Sequence, residues 1–316
     1  MQNISIPKVS RERPNGIRRR IDQPLTVAFF LLPAAILFIT FVILPIFQAT
    51  YTSLFKWNGL GPLDDFVGLK NYTRLFAHDP FLKAVTHNIV IIIFSLLMQL
   101  PLALLLALLV GRKLPGRVIF RTIFFLPYVI SQVITAYLWQ YIFNPRFPLI
   151  QLVNNFIHTL YPAFEPGAWL GDTNRVLPGL FAVLTWQFFG LHMVIYIAGL
   201  QQIPEEIEEA AYIDGASPLQ NLRYIVIPML VSTIYTTIYL SVLGSLQLFG
   251  LVWLMTEGGP ANASEVMATY LYRRAFVSFQ LGYGSAVAVV LFLVCLAFSV
   301  VYQWLVMRQE YAGRVT

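Results

Sequence analysis

EEIEEAAYIDGASPLQNLRYIVIP, Glu205 to Pro228, is the most charged segment between two long apolar runs, and its reading decides the fold. Pro204 followed by Glu205 and Glu206 predicts a helix start. Proline suits the first helical turn, and carboxylates favour the positive end of the helix dipole. Gly215 predicts the stop, and Ser217-Pro218 the cap and first position of a second helix running toward Pro228. On the first helix Ile203, Ile207, Ala210, Ala211 and Asp214 share a side, where the small Ala210 and Ala211 allow a neighbouring surface to approach closely. A helix lying on a lipid surface is usually basic. This one carries Glu205, Glu206, Glu208, Glu209 and Asp214 against a single Arg223, which favours docking on a protein.

The flanking sequence is that of an all-α integral membrane protein. Of 316 residues 58% are hydrophobic and only 11% charged, with a mean hydropathy of +0.69. Six apolar runs are long enough to cross a hydrocarbon layer of about 30 Å as helices: Leu25 to Phe47, Ile89 to Val110, Val118 to Phe143, Leu177 to Leu200, Met229 to Leu254 and Ser285 to Met307. The first is too long for a signal-peptide core and reads as a retained span. Pro101 and Pro127 are expected to kink theirs. The divisions expected are a basic arm over 1–23, a first span with its external loop over 24–88, a core of five helices over 89–307 with the loop 201–228 inside it, and a tail over 308–316. Of 21 Lys and Arg, eight fall in the stretches assigned outside: Lys56, Lys70, Arg74, Lys83, Arg146, Arg175, Arg273 and Arg274. The remainder, led by Lys8, Arg11, Arg13, Arg18, Arg19 and Arg20, place both termini and the acidic loop in the cytoplasm. With no basic patch interleaved with aromatics, the net charge of +6 reports topology, and no nucleic acid partner is expected. The lone Cys295 precludes an internal disulfide and a cysteine metal site.

Glu209-Ala210-Ala211, Asp214-Gly215-Ala216 and Ile225-Val226-Ile227-Pro228 resemble the EAA loop of the membrane subunits of binding-protein-dependent ABC importers. Further phrases are similar to the sugar-importer branch: Phe55-Lys56-Trp57-Asn58-Gly59, Val67-Gly68-Leu69-Lys70-Asn71-Tyr72, Phe120 to Pro127, Trp139 to Pro145, Thr256-Glu257-Gly258-Gly259-Pro260 and Gly282 to Ala286. The likeness covers most of 25–307 and is nearest the larger permease subunit of the maltose and glycerol-phosphate type. It departs at Leu219 and Leu222, where aromatics are common, at Ser232, where proline is frequent, and at Phe147-Pro148-Leu149, which lacks a glycine.

The resemblance implies a type I ABC importer permease fold in a bacterial or archaeal cytoplasmic (inner) membrane, with Glu205 to Gly215 as a cytoplasmic coupling helix. In the family this helix sits in a cleft on an ATPase subunit. Glu205, Glu206, Glu209, Ala210, Ala211, Asp214, Gly215 and Pro228 are the matching positions here. It further implies a second permease subunit, an ATPase dimer that binds the ATP and magnesium, and an extracytoplasmic sugar-binding protein. No cofactor is expected in this chain itself.

The residues carry a path rather than a catalytic centre. Gly111 to Val118 has the glycine spacing of a phosphate loop, but Arg117 and Val118 stand where lysine and a hydroxyl are required. His78, His87, His158 and His192 are scattered, and only His192 lies in a span, where a packing hydrogen bond is the expected role. The spans hold almost no ionisable groups, which speaks against an ion-coupled secondary sugar transporter, the alternative reading. Nor is there the residue pair a membrane enzyme needs. In the spans flanking the acidic loop, Ser241, Gly244, Ser245 and Leu248 share a helix face, as do Leu184, Gln187, Phe188 and Leu191. By resemblance these faces match the positions that hold sugar in maltose-type relatives. Gln187, Ser241 and Ser245 suit hydroxyl groups, and Phe188 and Leu191 an apolar wall, while small and polar residues also pack membrane helices together. Gly244 is expected to pack.

Overall fold

The computed structural model describes the backbone of residues 24–111 and 116–313, with side chains over 27–111 and 116–306. The arm and the turn residues Arg112 and Lys113 lie outside the described residues. Helices follow in the order α1 (Val27–Thr52), α2 (Lys70–Phe76), α3 (Asp79–Val110), α4 (Arg117–Val129), α5 (Gln132–Ile142), α6 (Pro148–Leu160), α7 (Val176–Leu200), α8 (Glu205–Ile213), α9 (Pro218–Met229), α10 (Val231–Leu246), α11 (Gly250–Thr256), α12 (Met267–Tyr272) and α13 (Leu281–Gly313). Four are long and apolar enough to span alone. Two bent pairs, α4 with α5 and α9 with α10, raise the number to six if each is one span.

Contacts divide the chain after Tyr51. The first unit is α1, a helix with no buried residue. The second begins at Thr52, so that 52–88 belongs with the remaining spans: Thr52 Oγ1 donates to Ser285 Oγ at 2.9 Å, and Gly282 N to Trp57 O at 2.9 Å.

Prolines shape the spans in a regular way. Five-residue π-helical turns cover Ile39–Ile43, Ser95–Gln99 and Leu222–Val226, each ending two residues before a proline: Pro45, Pro101 and Pro228. Proline has no N–H to bond the carbonyl four residues back and its ring presses on that carbonyl; a widened turn relieves both problems without breaking the helix. Pro127 behaves differently. It sits inside α4, and the break comes three residues later, where Ile130 is extended (φ −67°, ψ 134°) and Ser131 Oγ caps α5 by accepting from Val133 N. The axis turns by 95° there.

The expected run Met229 to Leu254 is likewise not one helix. The chain bends by 66° at Leu230, α10 ends at Leu246, and Gln247 to Phe249 join it to α11. Pro228 and the irregular backbone of Phe249 (φ −135°, ψ −63°) interrupt a pattern that hydropathy alone reads as continuous.

At the centre lies α7, the most buried span. Lipid is as apolar as leucine, so packing and interhelical hydrogen bonds hold such helices together. Gly190 and Gly199 provide the close approach: a Cβ at Gly190 would run into the Phe124 carbonyl of α4, and one at Gly199 into Thr233 Oγ1 of α10. Fully buried Asn88 joins three elements, donating to Ser245 O at 2.7 Å and accepting from Met267 N at 2.9 Å. Thr237 Oγ1 donates to Tyr196 Oη at 2.8 Å between α10 and α7.

Candidate functional site

The acidic segment folds as its sequence dictates. Helix α8 ends in a Schellman turn: Ala216 N donates to Ala211 O at 2.9 Å and Gly215 N to Tyr212 O at 3.1 Å, with Gly215 at φ +85°. Ser217 and Gln220 then form a reciprocal capping box at the start of α9. Asn221 Nδ2 reaches back to Glu208 Oε2 at 3.1 Å and Tyr212 Oη at 3.2 Å, fixing the angle between the two helices.

Glu205, Glu206, Glu209, Ala210, Asp214, Gly215 and Pro228 are all exposed. Ala211 is not. It is buried against the chain's own helices, so its small size serves internal packing rather than the approach of another surface. The exposed apolar groups here are larger ones, Ile213 at 85% and Leu219 at 72% exposure. The exposed surface of this segment thus combines an acidic rim with protruding aliphatic side chains.

Beyond this segment, α3, the α4–α5 bend, α7 and α10 enclose a cavity of about 420 Å³. Of the seven path residues named from sequence, Leu184, Phe188, Leu191, Ser241, Ser245 and Leu248 line it. Leu248 does so from the joint after α10 rather than from the helix itself. Gln187 is a correction. Its Oε1 accepts from Thr135 Oγ1 at 2.6 Å and its Nε2 donates to Ile130 O at 3.0 Å, so both ends of the amide hold the α4–α5 bend. Gly244 is another: a Cβ there would meet nothing within 4 Å, so Gly244 faces cavity space instead of packing.

Gln247, beside the Ser241 face in the sequence, joins the lining, as do Ser95, Gln99, Tyr128, Gln132 and Phe249, none of them marked by the two-face pattern. Ser241 Oγ and Ser95 Oγ are 2.6 Å apart, and Ser95 Oγ donates to Gln99 Oε1 at 2.8 Å, giving one polar chain across α10 and α3. Signals for these residues existed in the polar character of Ser95 and Gln99 within an apolar run, where Ser95 continues the buried side of Ala84, Asn88 and Ile91 at helical spacing and Gln99 follows one turn later. His192 also lines the cavity, and its Nδ1 makes no hydrogen bond among the described residues, contrary to the packing role expected of it.

At the opposite end of α10, the segment after α11 is tightly built. Glu265 is fully buried, with Arg273 Nη2 3.2 Å from its Oε2; a Cβ at Gly258 would press on its carboxylate. Burial pushes the Glu265 carboxyl above its ordinary value of 4.5, against the opposing pull of Thr269, Arg273 and Arg274. Thr256 Oγ1 and Ser264 Oγ are 2.8 Å apart, and Ser264 donates to Gly259 O at 2.5 Å. Gly258 is buried and Gly259 and Pro260 half-buried, so that Glu257 and Ala261 form the exposed tip of this loop.

Membrane-spanning helices around a cavity lined by apolar and neutral polar side chains, with an exposed acidic helix beyond the end of α7, are the architecture of a membrane permease. The chain belongs to the family of binding-protein-dependent transport system inner membrane components, which it matches over residues 99–311. It is 36% identical over 282 residues to a probable ABC transporter permease protein of Bacillus subtilis, covering 88% of this chain and 95% of that one. It is 32% identical over 306 residues to the diacetylchitobiose uptake system permease protein of Streptomyces coelicolor, covering 93% and 85%. Its fold is similar to that of a bacterial ABC transporter involved in the import of the acidic polysaccharide alginate, with a TM-score of 0.78 at 23% identity over 92% of this chain and 98% of the other.

Proposed function

We propose that this chain is one of two permease subunits of an ATP-driven importer that moves an uncharged sugar or related polyol into the cytoplasm by alternating access. One observation carries the reading. Two of the helices that line the cavity, α7 and α10, are those that flank the acidic segment α8–α9. A displacement of α8 therefore passes through the bend at Leu230 into α10 and changes the cavity wall.

In this reading α8 docks on a cytoplasmic ATPase dimer, which binds ATP and magnesium, and both termini are cytoplasmic. Closure of the ATPases on ATP favours one of two states of the spans, as a two-state linkage requires. One chain supplies one coupling helix, so a second, related permease completes the assembly. An extracytoplasmic binding protein delivers the cargo at the face bearing Gly258, Gly259 and Pro260, whose exposed tip is Glu257 and Ala261. The cavity lining contains hydroxyls, amides and aromatic rings but no Lys, Arg, Asp or Glu, which suits a neutral polyhydroxylated molecule. Ser241, Ser245 and Gln132 supply hydrogen bonds, and Phe188, Leu191 and Leu248 the apolar wall.

Purification from native membranes in mild detergent tests the assembly, and uptake into proteoliposomes tests the chemistry. Co-recovery of a second permease and an ATPase, with uptake of a neutral sugar that requires internal ATP, is the expected result. Uptake by the chain alone driven by a proton or sodium gradient would overturn it.

A further inference from the structure

Helix α6 divides into three faces rather than two. Leu149, Leu152, Phe156 and Leu160 recur at spacings of three and four and are 49%, 67%, 63% and 71% exposed. Gln151, Asn155 and His158 form an exposed polar strip on another side. Ile150 and Asn154 form the third, buried side, with Ile150 in the apolar core that includes Phe143 and Val176.

The buried side fixes where α6 sits. Asn154 Oδ1 accepts from Trp169 Nε1 at 2.8 Å, and Trp169 stacks on Phe143, directly after the end of α5, at 5.9 Å. Both rings lie within 3.7 Å of a Cβ placed on Gly179, in the first turn of α7. Phe147, at the start of α6, packs on Tyr141 at 5.1 Å. Helix α6 is thus fastened across the ends of α5 and α7, at the end of α7 remote from α8. Helix α7 has 25 residues, about 37 Å of length, so its two ends lie near the two membrane surfaces.

The exposed apolar row of α6 continues an exposed row on α5. On α5, Val133, Tyr137 and Tyr141 are exposed at spacings of four, and Tyr141 is the residue against which α6 begins. There is no Asp, Glu, Lys or Arg from Phe147 to Phe164. Tyr161 is exposed just past the end of the helix, the kind of aromatic that sits at membrane interfaces. A helix lying flat beside a bundle at the lipid–water boundary needs one side for protein, one for lipid and one for water.

We propose that α6 lies in the membrane interface on the side opposite α8, with Leu149, Leu152, Phe156 and Leu160 inserted among lipid chains and Gln151, Asn155 and His158 in water. The partner is a lipid surface, held by apolar burial and not by anionic headgroups. Helix α6 then fixes the level at which α5 and α7 enter the bilayer. Pro148 contributes the first turn of this helix.

The single cysteine makes the test direct. In a Cys295→Ala background, cysteines placed at Leu152, Phe156, Gln151 and Asn155 receive a small environment-sensitive fluorophore, in the complete transporter in phosphatidylcholine vesicles. All four positions are exposed, so the core is untouched, and retained transport verifies folding. Expected are severalfold quenching at 152 and 156 by lipids carrying shallow nitroxides, little quenching there by aqueous iodide, and the reverse at 151 and 155. Replacing a third of the lipid with phosphatidylglycerol should leave the pattern unchanged. Iodide access at 152 and 156 without lipid quenching would overturn the proposal in favour of a free surface. Protection of both positions from both quenchers would overturn it in favour of a protein cover such as the second permease.

Discussion

Two acidic regions, Glu205 to Asp214 ahead of α10 and Glu257 to Glu265 beyond it, use carboxylates in opposite ways. In the first, Glu206, Glu209 and Asp214 stand exposed beside protruding Ile213 and Leu219. In the second, Glu265 is fully buried against Arg273, and Gly258 closes over it. Exposed charge on a short helix is available to a partner and contributes little to the chain's own stability. A buried carboxyl held beside an arginine fixes a loop in one shape and is costly to disturb. In the proposed function the first region is a site of association, whereas the second is a fixed part of the scaffold.

Substitutions that touch association alone should leave the folded chain intact, and the largest such effect is expected at Gly215. Its φ of +85° is disfavoured for any L side chain, although nothing lies within 4 Å of a Cβ there. Gly215→Arg should lower ATP-dependent uptake about tenfold or more, since a 1.4 kcal/mol loss of coupling is already tenfold, while the amount of protein in the membrane stays near wild type. Next is Gly244→Leu, which fills open cavity space. Uptake should fall by a similar order while the ATPase still co-purifies, a separation that distinguishes path from coupling.

The scaffold is probed by Asn88→Leu, which leaves Ser245 O and Met267 N without partners. Stability should drop by about 1–3 kcal/mol, read as a lower melting temperature in detergent. Glu265 sharpens the contrast through pH. Because burial raises its pKa in the folded chain, the protonated form is favoured there; its contribution to stability is full below about pH 4.5 and is lost as pH rises through the raised value. Glu265→Gln should flatten that part of the pH–stability profile, measured by hydrogen exchange of residues 257–273, and a profile identical to wild type would contradict the assignment. The smallest effect is expected for Glu209→Gln alone, less than about twofold on uptake, because one exposed charge of several is screened.

Much of this was legible in the sequence. The helix stop at Gly215, the Ser217 cap and the approximate spans follow from local rules that the fold obeys. The turns that shape the cavity were not. Pro127 signalled a kink, but the break at Ile130 depends on Gln187, an amide whose partners lie 52 and 57 residues away. The same long-range demand removed Gln187 from the predicted path. Ala211 and Gly244 both departed from their expected roles because a small residue reports closeness without saying whether its neighbour is the same chain, another chain or open space. Ser95 and Gln99 continue the side of α3 that carries Asn88 and Ile91 at helical spacing, but α3 does not flank the acidic segment, where the polar faces were read.

The most direct test of the central claim, that α8 couples this permease to an ATPase, is a photo-crosslinking amino acid placed at Ile213 in cells expressing the complete transporter. The account predicts one major adduct, identified by mass spectrometry as a cytoplasmic ATPase subunit and diminished by Gly215→Arg. Adducts to lipid alone, in cells where the transporter is assembled and active, would contradict it.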